Sequence, residues 1–445
     1  MKLSLRLALF LLLPVAVFAL DRQPLNDYHT RRIHLSGALN GGVAIVFASE
    51  EPANDFMPWR QDSDFYYLTG WNDPGAALLI VAPAISDDLK TTRAYREVLF
   101  LPARNLHEER YTGVKLDASS PDAVKITGVA EVQPMTELPA AIGALLRSDR
   151  YLERSLWSQP DNPHAQALAS WTATTLGLNR TPSLLDVRTL TGVLRATKDA
   201  GEMTLMHKAA DASVKAQQAM IAALHPGMTE RAAEGVFLET LLANGCERPS
   251  YAPIFGSGPN STVLHYSENS RTMQSGDVVV VDAAGEYSMY ASDITRTMPV
   301  NGHFTQRQRE IYDIVLGAQQ AAMNAFVVGK SRVNDPDHRY TDSLDTIAFN
   351  YMNAHGKDLH GEPIGKYFIH GIGHLVGLDV HDPWDYTQPV ERGMVFTIEP
   401  GIYIPEENIG VRIEDDFYVK PDGTLDCLTC ALPKTAEAVE GMMKH

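Results

Sequence analysis

Four carboxylates stand where apolar strands should bury them. Val278-Val-Val-Val ends on Asp282, and Ala291-Ser leads into Asp293 ahead of Ile-Thr-Arg-Thr-Met-Pro. Val395-Phe-Thr-Ile ends on Glu399, and Gly410-Val-Arg-Ile ends on Glu414. An acid after four valines falls into a core. A lone buried carboxylate costs several kcal/mol unless a counter-charge or a metal meets it. A salt bridge, for example from Arg296 to Asp282, is the ordinary solution. A second acid at the facing position favours metal instead. Gly285 to Tyr290 can turn between the two strands, so the spacing predicts a hairpin with Asp282 and Asp293 roughly opposite each other. Strand alternation puts Arg412 and Glu414 on one face.

The stretch F-I-H-G-I-G-H-L-V-G-L-D-V-H-D, 368–382, adds His370, His374 and His381. Its glycines permit close backbone approach. The spacing is not that of a helical H-E-x-x-H zinc motif. A lone histidine is usually a satisfied core or surface residue; three among Gly and apolar residues, with acids to partner them, favour a metal site. Asp282, Asp293, His374, Glu399 and Glu414 then form a set of four carboxylates and one imidazole. Its formal charge of about −4 offsets two divalent cations, and without them the acids would repel and be driven toward protonation. Oxygen-rich ligation with one imidazole suits Mn2+, with Co2+, Fe2+ or Zn2+ as alternatives. Two such ions about 3.5–4 Å apart clamp both oxygens of a displacement, so the reaction class is metal-assisted hydrolysis.

A chain of 445 residues has room for two to three domains. Its formal net charge of −17 disfavours nucleic acid and anionic membranes as partners. Residues 1–19 read as a signal peptide: Lys2 and Arg6, an apolar run from Leu7 to Leu13, and a cleavage site after Val17-Phe18-Ala19. The expected location is therefore exported, periplasmic or secreted, with no stable membrane anchor after cleavage. An uncleaved N-terminal anchor is the alternative. The three cysteines make no disulfide framework. Cys427 and Cys430 suit a local disulfide, a redox pair or half a zinc site, which leaves Cys246 free.

Residues 20–192 read as an α/β domain. Helices are expected over Tyr28–Leu39, Met135–Leu146 and Asn162–Leu176, and buried strands over Gly42–Ala48, Ala76–Ala82 and Glu97–Leu101. Trp59 to Gly70, dense in aromatic and polar groups, is either a packed turn or a wall facing another domain or subunit. The second domain, 193–445, opens on a long amphipathic helix from Lys198 and a second after Thr229. Residues 331–366 read as a partly helical connector.

Asp282, Asp293, His374, Glu399 and Glu414, in that order and with His265-Tyr-Ser-Glu-Asn269 ahead of them, closely resemble the pita-bread metallopeptidases. Within these, the chain looks like the Xaa-Pro aminopeptidase (aminopeptidase P) and prolidase branch. R-Q-D-S-D-F-Y-Y-L-T-G at 60–70 resembles the aminopeptidase P N-terminal domain. Tyr111-Thr112-Gly113 stands where that branch often carries Trp, an acid and Gly. The resemblance implies an α/β N-terminal domain of the creatinase/aminopeptidase P type followed by an α+β pita-bread catalytic domain. It implies Asp282 and Asp293 on one metal, His374 and Glu399 on the side of the other, Glu414 shared and Asp293 bridging. Glu399 would also take the proton from the attacking water. His265, His370 and His381 would bind substrate and stabilise charge at the scissile carbonyl. Arg412 would orient the carboxylates or the substrate, with Tyr403 near it. The implied substrate is a peptide with proline at position two, cut to release its N-terminal residue. The alternatives are a prolidase confined to Xaa-Pro dipeptides, a non-catalytic pita-bread binding module and a metal-free creatinase type. A homo-oligomer, dimer or tetramer, is the family expectation.

Overall fold

The computed structural model describes residues 20–51, 59–85, 92–148 and 155–443, so the leader expected over 1–19 lies outside the described residues. Among the described residues no helix is long and apolar enough to cross a membrane.

The N-terminal domain is built on a six-stranded sheet. In spatial order its strands are Glu131–Pro134, Arg96–Leu101, Ala77–Val81, Val43–Phe47, Leu156–Ser158 and Leu185–Asp186. Val43–Phe47 and Ala77–Val81 are apolar throughout because both faces of the sheet are covered. Alternation sorts their side chains. Val43, Ile45 and Phe47 pack with Leu138, Ile142 and Leu168 from the helices Leu138–Ser148 and Pro163–Leu176. Ala44, Val46, Leu78 and Ile80 face the other way, toward Leu35 and Phe65 and into the second domain, where Met206, Tyr290, Val376 and Val395 complete the cluster. The sheet's outer face is thus its own core, and its inner face is the domain join. The anticipated strands and helices all appear; the helix expected from Met135 begins as a 3-10 turn, Met135–Glu137, before Leu138.

The second domain has two helix pairs, Ala200–Ala223 with Glu230–Ala243 and Gln306–Ala325 with Leu344–His355. Asp199 and Glu202 form a capping box on the first helix. Thr305 and Gln308 form one on Gln306–Ala325, a helix not anticipated although this start signal is plain in the sequence. Short antiparallel sheets lie against these helices: Ile254–Ser257 with Val278–Asp282 and Thr295–Pro299; Val395–Ile398 with Asp415–Val419 and Leu425–Cys427; and Gly401–Ile404 with Ile409–Arg412.

One expectation is corrected. The ladder pairs Asp282 with Thr295, so Asp293 lies two residues outside it and does not face Asp282 across a hairpin. Gly285–Tyr287 and Tyr290–Ala291 instead form their own hairpin beside Arg248–Pro249. Its tip, Ser288 and Met289, takes φ of 49° and 73°, and the hairpin buries Met289 and Tyr290 in the cluster shared with the N-terminal domain. That burial draws the segment out of the ladder.

Trp59 to Gly70 faces the second domain. It contains the helix Ser63–Thr69, capped by Asp62. Arg60 Nε donates to Glu286 Oε2 at 2.7 Å, and Ser63 Oγ donates to Asp379 Oδ1 at 2.6 Å.

Candidate metal centre

The strand ladders end where the acids begin. Asp282 closes its strand, Asp293 precedes Thr295–Pro299, Glu399 follows Val395–Ile398, and Glu414 sits between Ile409–Arg412 and Asp415–Val419. Pinned backbones with side chains at or just beyond the strand ends let all four turn into one cavity of about 600 Å³. His265, His370, His374, His381 and Arg412 line the same cavity. Tyr403 is not on its wall.

Ligand atoms of Asp293, His374 and Glu414 lie within 4.8 Å of one another. His374 Nε2 is 3.4 Å from Asp293 Oδ2 and 3.4 Å from Glu399 Oε1. His374 Nδ1 is 3.2 Å from the Leu375 carbonyl. A carbonyl only accepts, so Nδ1 carries a proton and Nε2 is the nitrogen turned to the acids. Asp282 Oδ2 accepts from Arg412 Nη2 at 2.6 Å, and Glu414 Oε2 accepts from Thr295 Oγ1 at 2.6 Å. The second oxygens, Asp282 Oδ1 and Glu414 Oε1, are buried with no hydrogen-bond partner among the described residues.

The electrostatics demand positive charge. Burial raises Glu399 to about 7, with Asp293 adding to the shift and His374 opposing it. Burial raises Asp282 although Arg412 pulls against it, and burial with Asp293 and Glu399 drives Glu414 well above the usual carboxylate range. Burial would depress His374, but Asp293 and Glu399 outweigh it and raise the ring to about 9. Acids that repel one another, two orphaned oxygens and one imidazole lone pair fit divalent cations of oxygen-preferring character.

Behind the wall runs a chain of hydrogen bonds. Arg412 Nη1 donates to Tyr403 Oη at 2.7 Å, and Tyr403 Oη is 2.9 Å from His370 Nε2. His370 Nδ1 is 2.7 Å from the Gly371 carbonyl. With Nδ1 donating to that carbonyl, Tyr403 donates to Nε2 and the ring is neutral. Burial and Arg412 agree with this, lowering His370 to about 4. Tyr403 is pushed up to about 12, chiefly by burial. His381 meets the His374 ring edge-on at 4.2 Å, and burial and that neighbour lower its pKa.

Sequence reasoning missed several contributors. Tyr251 Oη donates to Asp293 Oδ1 at 2.6 Å, and no spacing signals it. Asp416 Oδ2 accepts from the Asp293 backbone N–H at 3.0 Å and from Ser292 Oγ at 2.8 Å. The run Glu414-Asp-Asp could have flagged it. Thr397 Oγ1 accepts the His374 N–H at 3.1 Å, and Asn334 Nδ2 donates to the Gly373 carbonyl at 2.7 Å. Arg296, the expected salt-bridge candidate for Asp282, pairs with Asp415 at 2.7 Å instead. Arg412, at the end of the strand Ile409–Arg412, takes that place with Nη2 on Asp282 Oδ2 at 2.6 Å. Cys427 and Cys430 form a disulfide, so neither sulfur is free to ligate zinc, and Cys246 is free and buried.

Residues 204–421 match metallopeptidase family M24, and residues 28–152 match the aminopeptidase P N-terminal domain. The chain is 34% identical to Xaa-Pro aminopeptidase of Escherichia coli, over 91% of this chain and 94% of that protein. It is 33% identical to Xaa-Pro aminopeptidase of Haemophilus influenzae, over 94% of this chain and 97% of that one. The solved proline aminopeptidase P II from Yersinia pestis superposes with a TM-score of 0.81 at 32% identity, covering 95% of this chain and 99% of that chain.

Proposed function

The chain belongs to metallopeptidase family M24, and on that footing we propose that it is an Xaa-Pro aminopeptidase, releasing the N-terminal residue from peptides with proline at position two. The observation that carries this is the cage itself: four acids and one imidazole turned into a cavity that three further histidines share.

Two divalent cations suit the cage, Mn2+ first, with Co2+, Fe2+ or Zn2+ as alternatives. Asp282 and Asp293 would hold one, His374 and Glu399 the other, with Glu414 shared and Asp293 bridging. When bound, the ions supply Lewis acidity toward the scissile carbonyl and lower the pKa of water. Glu399 takes the proton of the attacking water, its carboxylate facing the same cavity as the three further histidines. His265, His370 and His381 bind the peptide and the charge that builds at its scissile carbonyl. Arg412 holds Asp282 with one nitrogen and Tyr403 with another, so the acid and the His370 ring keep a common register.

The proposed division is a 1–19 leader, an N-terminal domain over 20–192 and a catalytic domain over 193–445. Export to the periplasm or beyond is part of the reading, supported by the basic-apolar start and by a disulfide suited to an oxidising compartment. Homo-oligomerisation is part of it as well. The test is a peptide panel offered to the cation-loaded protein. Release from both Xaa-Pro and Xaa-Pro-Xaa is expected. Cleavage confined to dipeptides would make the protein a prolidase.

A further inference from the structure

The sequence Cys427-Leu-Thr-Cys430 follows the short strand Leu425–Cys427, which pairs with Asp415–Val419 so that Cys427 lies across from Phe417. That pairing brings the four-residue disulfide loop against the two residues after Glu414. Thr429, between the cysteines, is fully buried. Its Oγ1 donates to Asp415 Oδ1 at 2.9 Å and accepts the Asp416 N–H at 3.1 Å. The Leu428 N–H donates to the Asp416 carbonyl at 2.9 Å.

Both aspartates lead back to the cage. Asp416 Oδ2 accepts the Asp293 N–H at 3.0 Å. Asp415 Oδ1 accepts from Arg296 Nη2 at 2.7 Å, while Arg296 Nη1 donates to the Glu414 carbonyl at 2.6 Å. One hydroxyl therefore braces the supports of two residues of the cage. We propose that Thr429, held inward by the Cys427–Cys430 disulfide, is a positioning residue for the cation cage, so that reducing this disulfide weakens cation retention. This rests on the ligand set proposed above.

The chemistry of the loop favours such a link. Once the S–S bond is broken, two thiols no longer fit at bonding distance and must part, and the loop that carries Thr429 has to widen. Lys434 Nζ lies 2.8 Å from Asp415 Oδ2 and 3.5 Å from Cys430 Sγ, so a Cys430 thiolate would compete with Asp415 for the same cation. Cys430 is exposed and open to a reductant, while Leu428 stays seated with Val376 and Val395. Reduction is thus local. With a phosphine, phosphorus attacks one sulfur, the S–S bond breaks and the other sulfur leaves as thiolate. Water then displaces the first sulfur from phosphorus, giving the phosphine oxide and two thiols.

The experiment titrates Mn2+ into the cation-stripped full chain, oxidised and phosphine-reduced, reading free Mn2+ by electron paramagnetic resonance. The half-saturating concentration should rise about tenfold on reduction, as for loss of a group that orients a ligand. Cys427→Ser/Cys430→Ser should behave as reduced and ignore phosphine; Thr429→Val should bind weakly in both states, and Thr429→Ser like the parent. A change below about twofold, or an equal response in the Cys427→Ser/Cys430→Ser variant, overturns the proposal. The parent chain reduced after folding needs no substitution, so a variant that fails to fold leaves the central comparison standing. Peptide specificity plays no part in the readout. Binding that ignores the disulfide refutes this link alone, whereas no Mn2+ binding in either state refutes the cage as well.

Discussion

Arg195→Ala should remove the cation at the centre of the domain join. The Arg195 side chain is 3% exposed and donates to Asp64 at 3.0 Å and to Asp379 and Asp382 at 2.6 Å each. Asp379 is 40% exposed, so water screens it and it contributes little. Asp64 and Asp382 are 6% and 1% exposed. Lys198 Nζ remains on Asp382 at 2.9 Å, so the main injury is Asp64, a buried carboxylate stripped of this guanidinium. Breaking a buried pair from one side costs about 3–5 kcal/mol, and the surviving lysine points to the lower end, about 3 kcal/mol. Urea unfolding followed by tryptophan fluorescence and by hydrolysis checks this. A transition of the N-terminal domain should separate from that of the catalytic domain as the join weakens. Arg195→Leu combined with Asp64→Leu should recover much of the loss, because an apolar pair needs no counter-charge. A loss below about 1 kcal/mol in Arg195→Ala, or no recovery in the double variant, would refute the reasoning.

His374→Ala should weaken cation retention at least about tenfold, whereas His370→Ala should keep its cations and lose turnover by roughly a hundredfold; equal cation loss in both, by elemental analysis, would overturn that division. Burial would raise Asp382, but Arg195 and Lys198 outweigh it and lower it from 3.8 to about 2. A depressed acid stabilises fully above its unfolded value, so roughly 2 kcal/mol should disappear as pH falls from 3.8 through about 2. Acid unfolding of Asp382→Asn should show a shallower slope there, and an unchanged slope would contradict the assignment. A Cβ on Gly373 would meet the Thr397 carbonyl oxygen at 2.1 Å. Gly373→Ala should therefore part the Thr397 N–H from the His374 carbonyl, now at 2.9 Å, and lower cation content in a chain that still folds; unaltered content would count against it.

That the four acids gather in one cavity was legible because each interrupts an apolar strand end, where burial without a counter-charge is untenable. What the chain could not disclose was how those ends meet. Asp282 and Asp293 looked like facing hairpin residues, but the ten residues between them left room for a second hairpin, and Met289 and Tyr290 found apolar surface in the other domain. The expected strands of the N-terminal sheet were readable from apolar runs flanked by polar turns. Which face of that sheet met the catalytic domain was not, since Val43 and Ala44 look alike in sequence. Trp59 to Gly70 reads in sequence as either a turn or a wall for the same reason. Tyr251, Thr397 and Thr429 act through single hydroxyls whose partners are set by long-range pairing. Helix Gln306–Ala325 was a different kind of miss, because Thr305 and Gln308 marked its start locally.

The most direct measurement counts divalent cations per chain by elemental analysis while following release of the N-terminal residue from an Xaa-Pro-Xaa peptide through stripping and reloading. About two ions per chain at full activity are expected, with hydrolysis lost on stripping and regained on reloading. A folded, cation-free chain that cleaves the peptide at the loaded rate would contradict the carboxylate cage as the seat of catalysis.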